Sequence, residues 1–485
     1  MPSPKAVRFS PRAGLFGKDG CALNIIIVGD GKVGFTLAEQ LSQENHDITI
    51  IDTDERALAH ASESLDVMCI QGNGAAITPL KEAGVEHADM VIAATSEDET
   101  NMVCCLTAKR LGAGYAIARV RNMEYTTDLE TLKKELGIDM VINPELATAL
   151  EISRLLRFPN AANIDTFYRG RVELMGFLLQ EGDFLCHRPL SEQSAKLKNL
   201  PVLFCAAERD GEVHIPNGSF VPLPGDKLYI IGEPVGLSQF FRLLGRYIPK
   251  IKSVFLIGGG RITYYLTTLL TKMNLPVKIV EQKMERCRQL SELFPHATII
   301  HGDGTDQDLL EVENLASSDA FIAITDRDED NLITALYAKH LGVPKVIPKA
   351  NRQNYTGIAQ SVGLDCVVSP KYITAERILQ VVRWMENSKG SIMKALYRIA
   401  SNQAETMEFT VNETTQNLGI PLKNLSLKDG ILVAVIIHQN RIIIPEGSSV
   451  IQKGDTVIIV SHNHTILDIN DIFKNSVLDL DRRMP

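Results

Sequence analysis

The feature that most constrains this chain is that it repeats itself. Residues 24–34 (NIIIVGDGKVG) line up with residues 253–263 (SVFLIGGGRIT), so that Gly29 falls on Gly258 at an offset of 229 positions. At the same offset Asp52 falls on Glu281, each closing an apolar run. After one inserted residue the offset becomes 230. Residues 71–74 (QGNG) then meet 301–304 (HGDG), and 94–101 (ATSEDETN) meet 324–331 (ITDRDEDN). Late in each copy, 215–219 (IPNGS) meets 444–448 (IPEGS), and Gly225-Asp226 meets Gly454-Asp455, again at 229. One register held across so many separate motifs is a tandem duplication, and any fold assigned to one half must serve for both.

Within each copy a β-branched run enters a glycine turn and then a helix-like stretch (35–43 and 264–273). Further strand–helix alternation follows, with strands expected near 65–70 and 89–94. This is the pattern of an α/β, Rossmann-like, doubly wound parallel sheet. Helices over 144–156 and 370–388 then leave the sheet. After them come short alternating strands with tight turns: 203–207, the turn 209–212 and 227–231 in copy one, 432–438 and 456–460 in copy two. Each Rossmann-like domain is therefore followed by a small α+β domain. The expected divisions are an extension (1–22), a first parallel-sheet domain (23–143), a crossover helix (144–163) and a first small domain (164–246). Copy two repeats them as a second parallel-sheet domain (251–369), crossover (370–400) and small domain (404–475), before a tail (476–485).

Bulk properties narrow the function. A chain of 485 residues exceeds one hydrophobic core. A formal net charge of −9 disfavours a nucleic-acid surface, which needs clustered Lys and Arg. No run approaches the ~18 apolar residues that span a bilayer, so a membrane role would come through a partner. The eight cysteines are scattered without CxxC spacing, as expected of reduced, buried thiols in a cytoplasmic protein. The first twenty-odd residues are basic and lack the apolar core of a secretory signal; a disordered extension is expected there.

The chemistry sits in the glycine turn. In Gly29-Asp30-Gly31-Lys32-Val33-Gly34, Gly29 permits the turn, Gly31 lets the backbone approach a pyrophosphate, and Gly34 lets helix pack on strand. The helix N-terminus receives the negative charge. Asp52, eighteen residues beyond Gly34, would accept hydrogen bonds from the adenosine ribose and repel a 2′-phosphate, favouring NAD over NADP. Copy two keeps Gly258, Gly259, Gly260, Arg261, Ile262 and Glu281, but Thr263 stands at the third glycine, where a β-branched residue should crowd the helix against the strand. Thr95 and Ser96, with Thr325 and Asp326 as counterparts, end a strand at the ligand edge of such a sheet; their hydroxyls could touch ribose, or cap the following helix with Asp98 and Asn101. Arg119 and its counterpart Lys349 could reach phosphate or remain exposed charges. The acidic run 326–330 lacks the spacing of a calcium loop and suits a helix start, and 462–464 (HNH) reads as loop composition. No nucleophile elbow, Walker lysine or metalloprotease helix is present.

These residues resemble a known family, the regulatory subunits of Trk potassium-uptake systems. Their pattern is two Rossmann-like regulator-of-potassium-conductance (RCK, or KTN) domains, each followed by an RCK C-terminal domain. The resemblance rests on the glycine turn, residues 47–54 (DITIIDTD), 94–102 (ATSEDETNM), 117–121 (IARVR) and the paired IPxGS turns, and runs from about 24 to 473. It implies a non-enzymatic cytoplasmic subunit, assembled as a ring (dimer or tetramer) beneath a membrane potassium-transporter subunit. Such a subunit would gate flux by binding NAD(H), with ATP or ADP as further ligands. It also implies a first site of residues 29–33, Asp52, Thr95, Ser96 and Arg119, and a second of 258–262, Glu281 and Thr325. The rival expectations are an NAD-dependent oxidoreductase with two fused Rossmann halves, and an RCK regulator of a different transporter, an antiporter or channel.

Overall fold

The computed structural model describes residues 22–474 apart from 45, 123–124, 126–128, 158–162, 194–196, 198–199, 246–250, 365, 387–392, 401–402, 463–465 and 467. The amino-terminal extension, the tail and most of the 462–464 segment thus lie outside the described residues.

The first unit is a six-stranded parallel sheet of β1 (Asn24–Val28), β2 (Asp47–Asp52), β3 (Met68–Gln71), β4 (Met90–Ala93), β5 (Tyr115–Arg119) and β6 (Met140–Ile142). Its order is β3-β2-β1-β4-β5-β6. Ile25 to Val28 and Met90 to Ala93 are buried, as central parallel strands covered on both faces must be. The order reverses between β1 and β4, and a crevice opens there beyond the strands' carboxyl ends. The first small sheet is antiparallel: β7 (Asn163–Phe167), β8 (Val172–Leu178), β9 (Val202–Arg209), β10 (Glu212–His214) and β11 (Lys227–Gly232), in order β10-β9-β11-β8-β7.

The second half repeats both sheets. Strands β12 (Val254–Ile257), β13 (Val277–Glu281), β14 (Thr298–His301), β15 (Ala320–Ala323) and β16 (Lys345–Pro348) run in order β14-β13-β12-β15-β16. In the region of copy one's β6, copy two has an isolated parallel bridge between Lys349 and Val368. The stretch expected as a crossover over 370–400 divides in two. The helix ends at Glu386, and β17 (Met393–Ile399) joins a sheet with β18 (Ala404–Thr410), β19 (Ile431–His438), β20 (Arg441–Ile443) and β21 (Thr456–Ser461).

Local chemistry explains the recurring turns. Asp210 and Gly211 (φ 51° and 83°) and Gln439 and Asn440 (φ 46° and 65°) close two-residue hairpins, whose mirror-image turn needs two left-handed residues. The repeated Gly-Asp is structural as well. Asp226, 2% exposed, takes the Arg209 guanidinium at 2.7 and 2.6 Å and the Leu223 N–H at 2.8 Å. Asp455 takes His438 Nδ1 at 2.7 Å and the Gln452 N–H at 2.8 Å.

The halves are interlocked. The first crossover helix (Pro144–Arg157) packs against the helix Arg261–Lys272 of copy two, the second (Pro370–Glu386) packs against the helix Lys32–Gln43 of copy one, and the two crossover helices pack together. Ala149, Ile152, Leu155 and Leu156 share one core with Ile262, Leu266 and Leu270; Leu37 and Leu41 share another with Ala375, Ile378, Leu379 and Val382. Each such Leu or Ile contributes roughly 1.5–3 kcal/mol on burial. The small sheets also stack, burying Phe167, Val172, Leu174 and Ile231 against Ile399, Val435, Ile458 and Val460. The Tyr397 hydroxyl donates to the Thr166 carbonyl at 2.9 Å, and the Tyr168 N–H donates to Glu408 at 2.8 Å.

One ion triad ties three of these parts. Arg383, near the end of the second crossover helix and 6% exposed, reaches Glu405 of β18 at 2.5 Å and Glu44, after the helix Lys32–Gln43, at 3.1 and 3.2 Å. Glu405 is fully buried, so removing its cation leaves a charge in the core. Arg383→Met should therefore lower the unfolding free energy by about 3 kcal/mol, read from the urea midpoint. A loss below about 1 kcal/mol, the size of an exposed pair, would contradict that role.

Candidate nucleotide-binding cleft

Gly29 has φ +100°, and its N–H donates to the Ile51 carbonyl at 2.8 Å, fastening the turn to β2. A Cβ on Gly29 would lie 2.8 Å from Thr95 N, and one on Gly34 would lie 1.8 Å from the Gly29 carbonyl oxygen, so neither admits a side chain without movement. Gly31 differs, with nothing within 4 Å of its would-be Cβ: it faces open space. The helix that follows begins at Lys32 with no side-chain cap and no acid in its first turn. Its first N–H groups are available to an anion. Asp52 braces this turn from β2, accepting from the Asp30 N–H at 2.5 Å and the Asp54 N–H at 2.9 Å.

The β4 edge is organised by a residue the sequence reading gave only a capping role. Asn101, fully buried, accepts from the Thr95 N–H at 2.8 Å and the Thr95 hydroxyl at 2.7 Å, and donates to the Arg119 carbonyl at 2.9 Å. Asn331 does the same for Thr325 and the Lys349 carbonyl. Both threonine hydroxyls thus donate inward to these amides, and neither following helix carries a side-chain cap at its N-cap residue. The signal for this pair is in the repeat itself, which aligns Asn101 with Asn331. Ser96 stays exposed, its carbonyl accepting from Arg121. Asp328 accepts from the Asn351 and Arg352 N–H groups at 2.7 and 3.1 Å, so the acidic run is a helix start. Among the described residues no cluster could hold a metal ion.

Arg119 is not a free surface charge. Its Nη1 donates to the Ala94 carbonyl at 3.2 Å, its Nε is buried without a partner, and burial lowers its pKa, with Arg121 adding to the effect. Its counterpart Lys349 is buried, lies 3.8 Å from Asp326, and is likewise lowered by burial.

These groups surround a cavity of about 580 Å³, lined by Gly29, Gly31, Lys32, Val33, Asp52, Gly72, Asn73, Gly74, Thr95, Ser96, Glu97, Arg119 and Glu145. Asn351, Pro370 and Lys371 of copy two line it as well, which no spacing rule foretold. Asp30 in the turn has its pKa pushed up to about 6, first by burial, then by the neighbouring Asp52.

The second glycine turn corrects one expectation. Thr263 does not crowd the helix off the strand: it is fully buried, and its hydroxyl donates to the Gly258 carbonyl, the counterpart of the oxygen that excludes a Cβ at Gly34. Glu281 accepts from the Gly259 N–H at 2.6 Å and the Lys283 N–H at 2.7 Å, matching the bracing by Asp52. The Arg286 guanidinium donates to the Gly259 carbonyl at 2.7 Å. Gly260 faces open space, Arg261 is exposed and Ile262 is buried.

Comparison with known proteins gives a consistent result. The TrkA-N domain family matches residues 25–144 and again 254–370, and the TrkA-C domain family matches 406–474. The chain is 33% identical over 460 residues to a Trk system potassium uptake protein TrkA homolog of Methanosarcina mazei, covering 93% of this chain and all of that protein. It is 30% identical over 461 residues to the Trk system potassium uptake protein TrkA of Azorhizobium caulinodans, covering 94% of this chain and 99% of that one. Among solved structures it is similar in fold to the GsuK channel bound to NAD (TM-score 0.59, 19% identity), over 94% of this chain and 79% of that one.

The raised Asp30 pKa fixes the sign of a stability change. The folded state holds this proton more tightly than the unfolded chain, so its contribution is whole below pH 3.8 and is lost as pH rises through about 6. Asp30→Asn should therefore melt higher than the parent protein at about pH 7.5 and show no such gain near pH 4. Equal differences at both pH values would contradict the assignment.

Proposed function

The chain belongs to the TrkA family of Trk-system potassium-uptake proteins, and from that premise we propose that it is a nucleotide-sensing regulatory subunit. It binds NAD(H) in the cleft of copy one and gates potassium flux through a membrane transporter subunit. The observation that carries this is the cleft itself: an uncapped helix N-terminus, open space at Gly31 and the carboxylate of Asp52 around one cavity. The residues fit the ligand. The N–H groups after Gly31 would receive the pyrophosphate, Asp52 the adenosine ribose hydroxyls, and the unpartnered Arg119 Nε a phosphate oxygen. The nicotinamide ring would supply only a difference of charge between its oxidised and reduced forms. ATP and ADP share the adenosine and phosphate chemistry and are further candidate ligands.

A sensor is favoured over an oxidoreductase by what the remaining sheets do. Among the described residues the two small sheets stack on each other, and the residues lining the cleft come from the parallel-sheet domains and the starts of the crossover helices. A ligand shifts the protein between two states only by its differential affinity for them. The interlocked crossover helices, which join the two halves, are where that difference would act. No helix among the described residues is long and apolar enough to cross a membrane. The subunit would work as a ring at the inner face of the membrane, held there by the transporter.

The test is calorimetric titration of the purified chain with NAD, NADH, ATP and ADP, beside an Asp52→Ala variant. The expected result is saturable binding, weakened at least roughly tenfold by the loss of the ribose-binding carboxylate, with no turnover of the cofactor. No binding by any of the four, or steady cofactor turnover, would overturn the proposal.

A further inference from the structure

The cavity of copy one does not belong to copy one alone. Lys371, the second residue of the helix Pro370–Glu386, lines it together with Asn351 and Pro370. The ammonium lies 4.7 Å from the centre of the Tyr372 ring. Among the charges acting on it are Glu39 and Asp328, and Lys32 of the copy-one glycine turn, a like charge. Lys32 is a like charge for the buried Lys349 of copy two as well. Lys32 and Lys371, one from each half, thus line one cavity, and neither of the helices they open has an acid in its first turn.

The duplication sharpens the point. Pro144-Glu145 opens the first crossover helix and Pro370-Lys371 the second, so the two halves place opposite charges at equivalent positions. Both reach the same cavity. Glu145 is held near Arg121, at 3.9 Å, and its charge also acts on Arg119. Lys371 lines the cavity that Lys32 also lines, with the carboxylates Glu39 and Asp328 acting on it, and an anion bound between the two ammonium groups would offset their mutual repulsion.

We propose that Lys371 is a phosphate ligand of the nucleotide bound in the copy-one cleft, so that this site is completed only when the second half closes on it. The proposal rests on the cleft being a nucleotide site. It makes the phosphate chain the part of the ligand that both halves read. The helix bearing Lys371 is seventeen residues long, about 25 Å, and its far end holds Arg383 against Glu44 and Glu405. A pull at Lys371 therefore arrives at the second small sheet through one rigid element.

The experiment titrates the full chain with ADP and with adenosine, for the parent protein, Lys371→Gln, Lys371→Glu and Asp52→Ala. Lys371→Glu should fold, because an acid suits the first turn of a helix and Glu145 already occupies the equivalent position. The expected result is ADP binding weakened roughly tenfold by Lys371→Gln and further by Lys371→Glu, with a shallower dependence on salt and with adenosine binding unchanged. Unchanged ADP affinity in both Lys371 variants, with Asp52→Ala still impaired, would overturn the role of Lys371 and leave the nucleotide site standing. Equal loss of ADP and adenosine would mark Lys371 as merely structural and also overturn the proposal. ADP binding indifferent to Asp52→Ala would remove the nucleotide site itself.

Discussion

A helix that is buried on most of its sides needs more than one surface to cover it. The first crossover helix buries Ala147, Thr148, Ala149, Ile152, Ser153, Leu155 and Leu156, more than its own parallel sheet can hide. The solution is exchange: each crossover helix lies on the glycine-turn helix of the other copy. Everything else depends on this. It turns a duplicated chain into one body and stacks the small sheets. It also brings the N-terminus of the second crossover helix to the mouth of the first cleft.

Duplication supplies near-symmetry, and the departures from it are chemical. The buried aspartate of each small domain survives as Asp226 and Asp455, but its side-chain partner changes from Arg209 to His438. Asp52 becomes Glu281 and braces the turn in the same way. Gly34 becomes Thr263, whose hydroxyl bonds to the carbonyl that forbids any Cβ in copy one. Glu145 becomes Lys371, reversing a charge within one cavity. Both copies keep the glycine that lets backbone approach a ligand, Gly31 and Gly260, while the turn of copy two is also engaged by Arg286 and Thr263.

Much of this could be read from the chain itself. Strand ends, glycine turns and crossover starts follow from local rules: a β-branched run, a glycine at positive φ, a proline at the first helical turn. Observed strands such as Met90–Ala93 and Lys227–Gly232 lie where alternation and turn residues put them. The repeat offset carried Asp52 to Glu281 and Arg119 to Lys349 directly. What escaped the sequence is long-range. Asn351, Pro370 and Lys371 reach the first cleft because one helix docks across the duplication, and no spacing records a partner more than two hundred residues away. Thr263 differs from expectation for a related reason: β-branching describes the side chain's shape, while its place is decided by the Gly258 carbonyl beside it.

The central claim is that the two halves respond as one body to a ligand in the first cleft. Backbone hydrogen–deuterium exchange, compared with and without saturating NAD, tests it most directly. The account predicts slower exchange both in the glycine turn around Gly31 and along the second-half helix Pro370–Glu386. Protection confined to residues of the first half, with that helix exchanging as before, would contradict it.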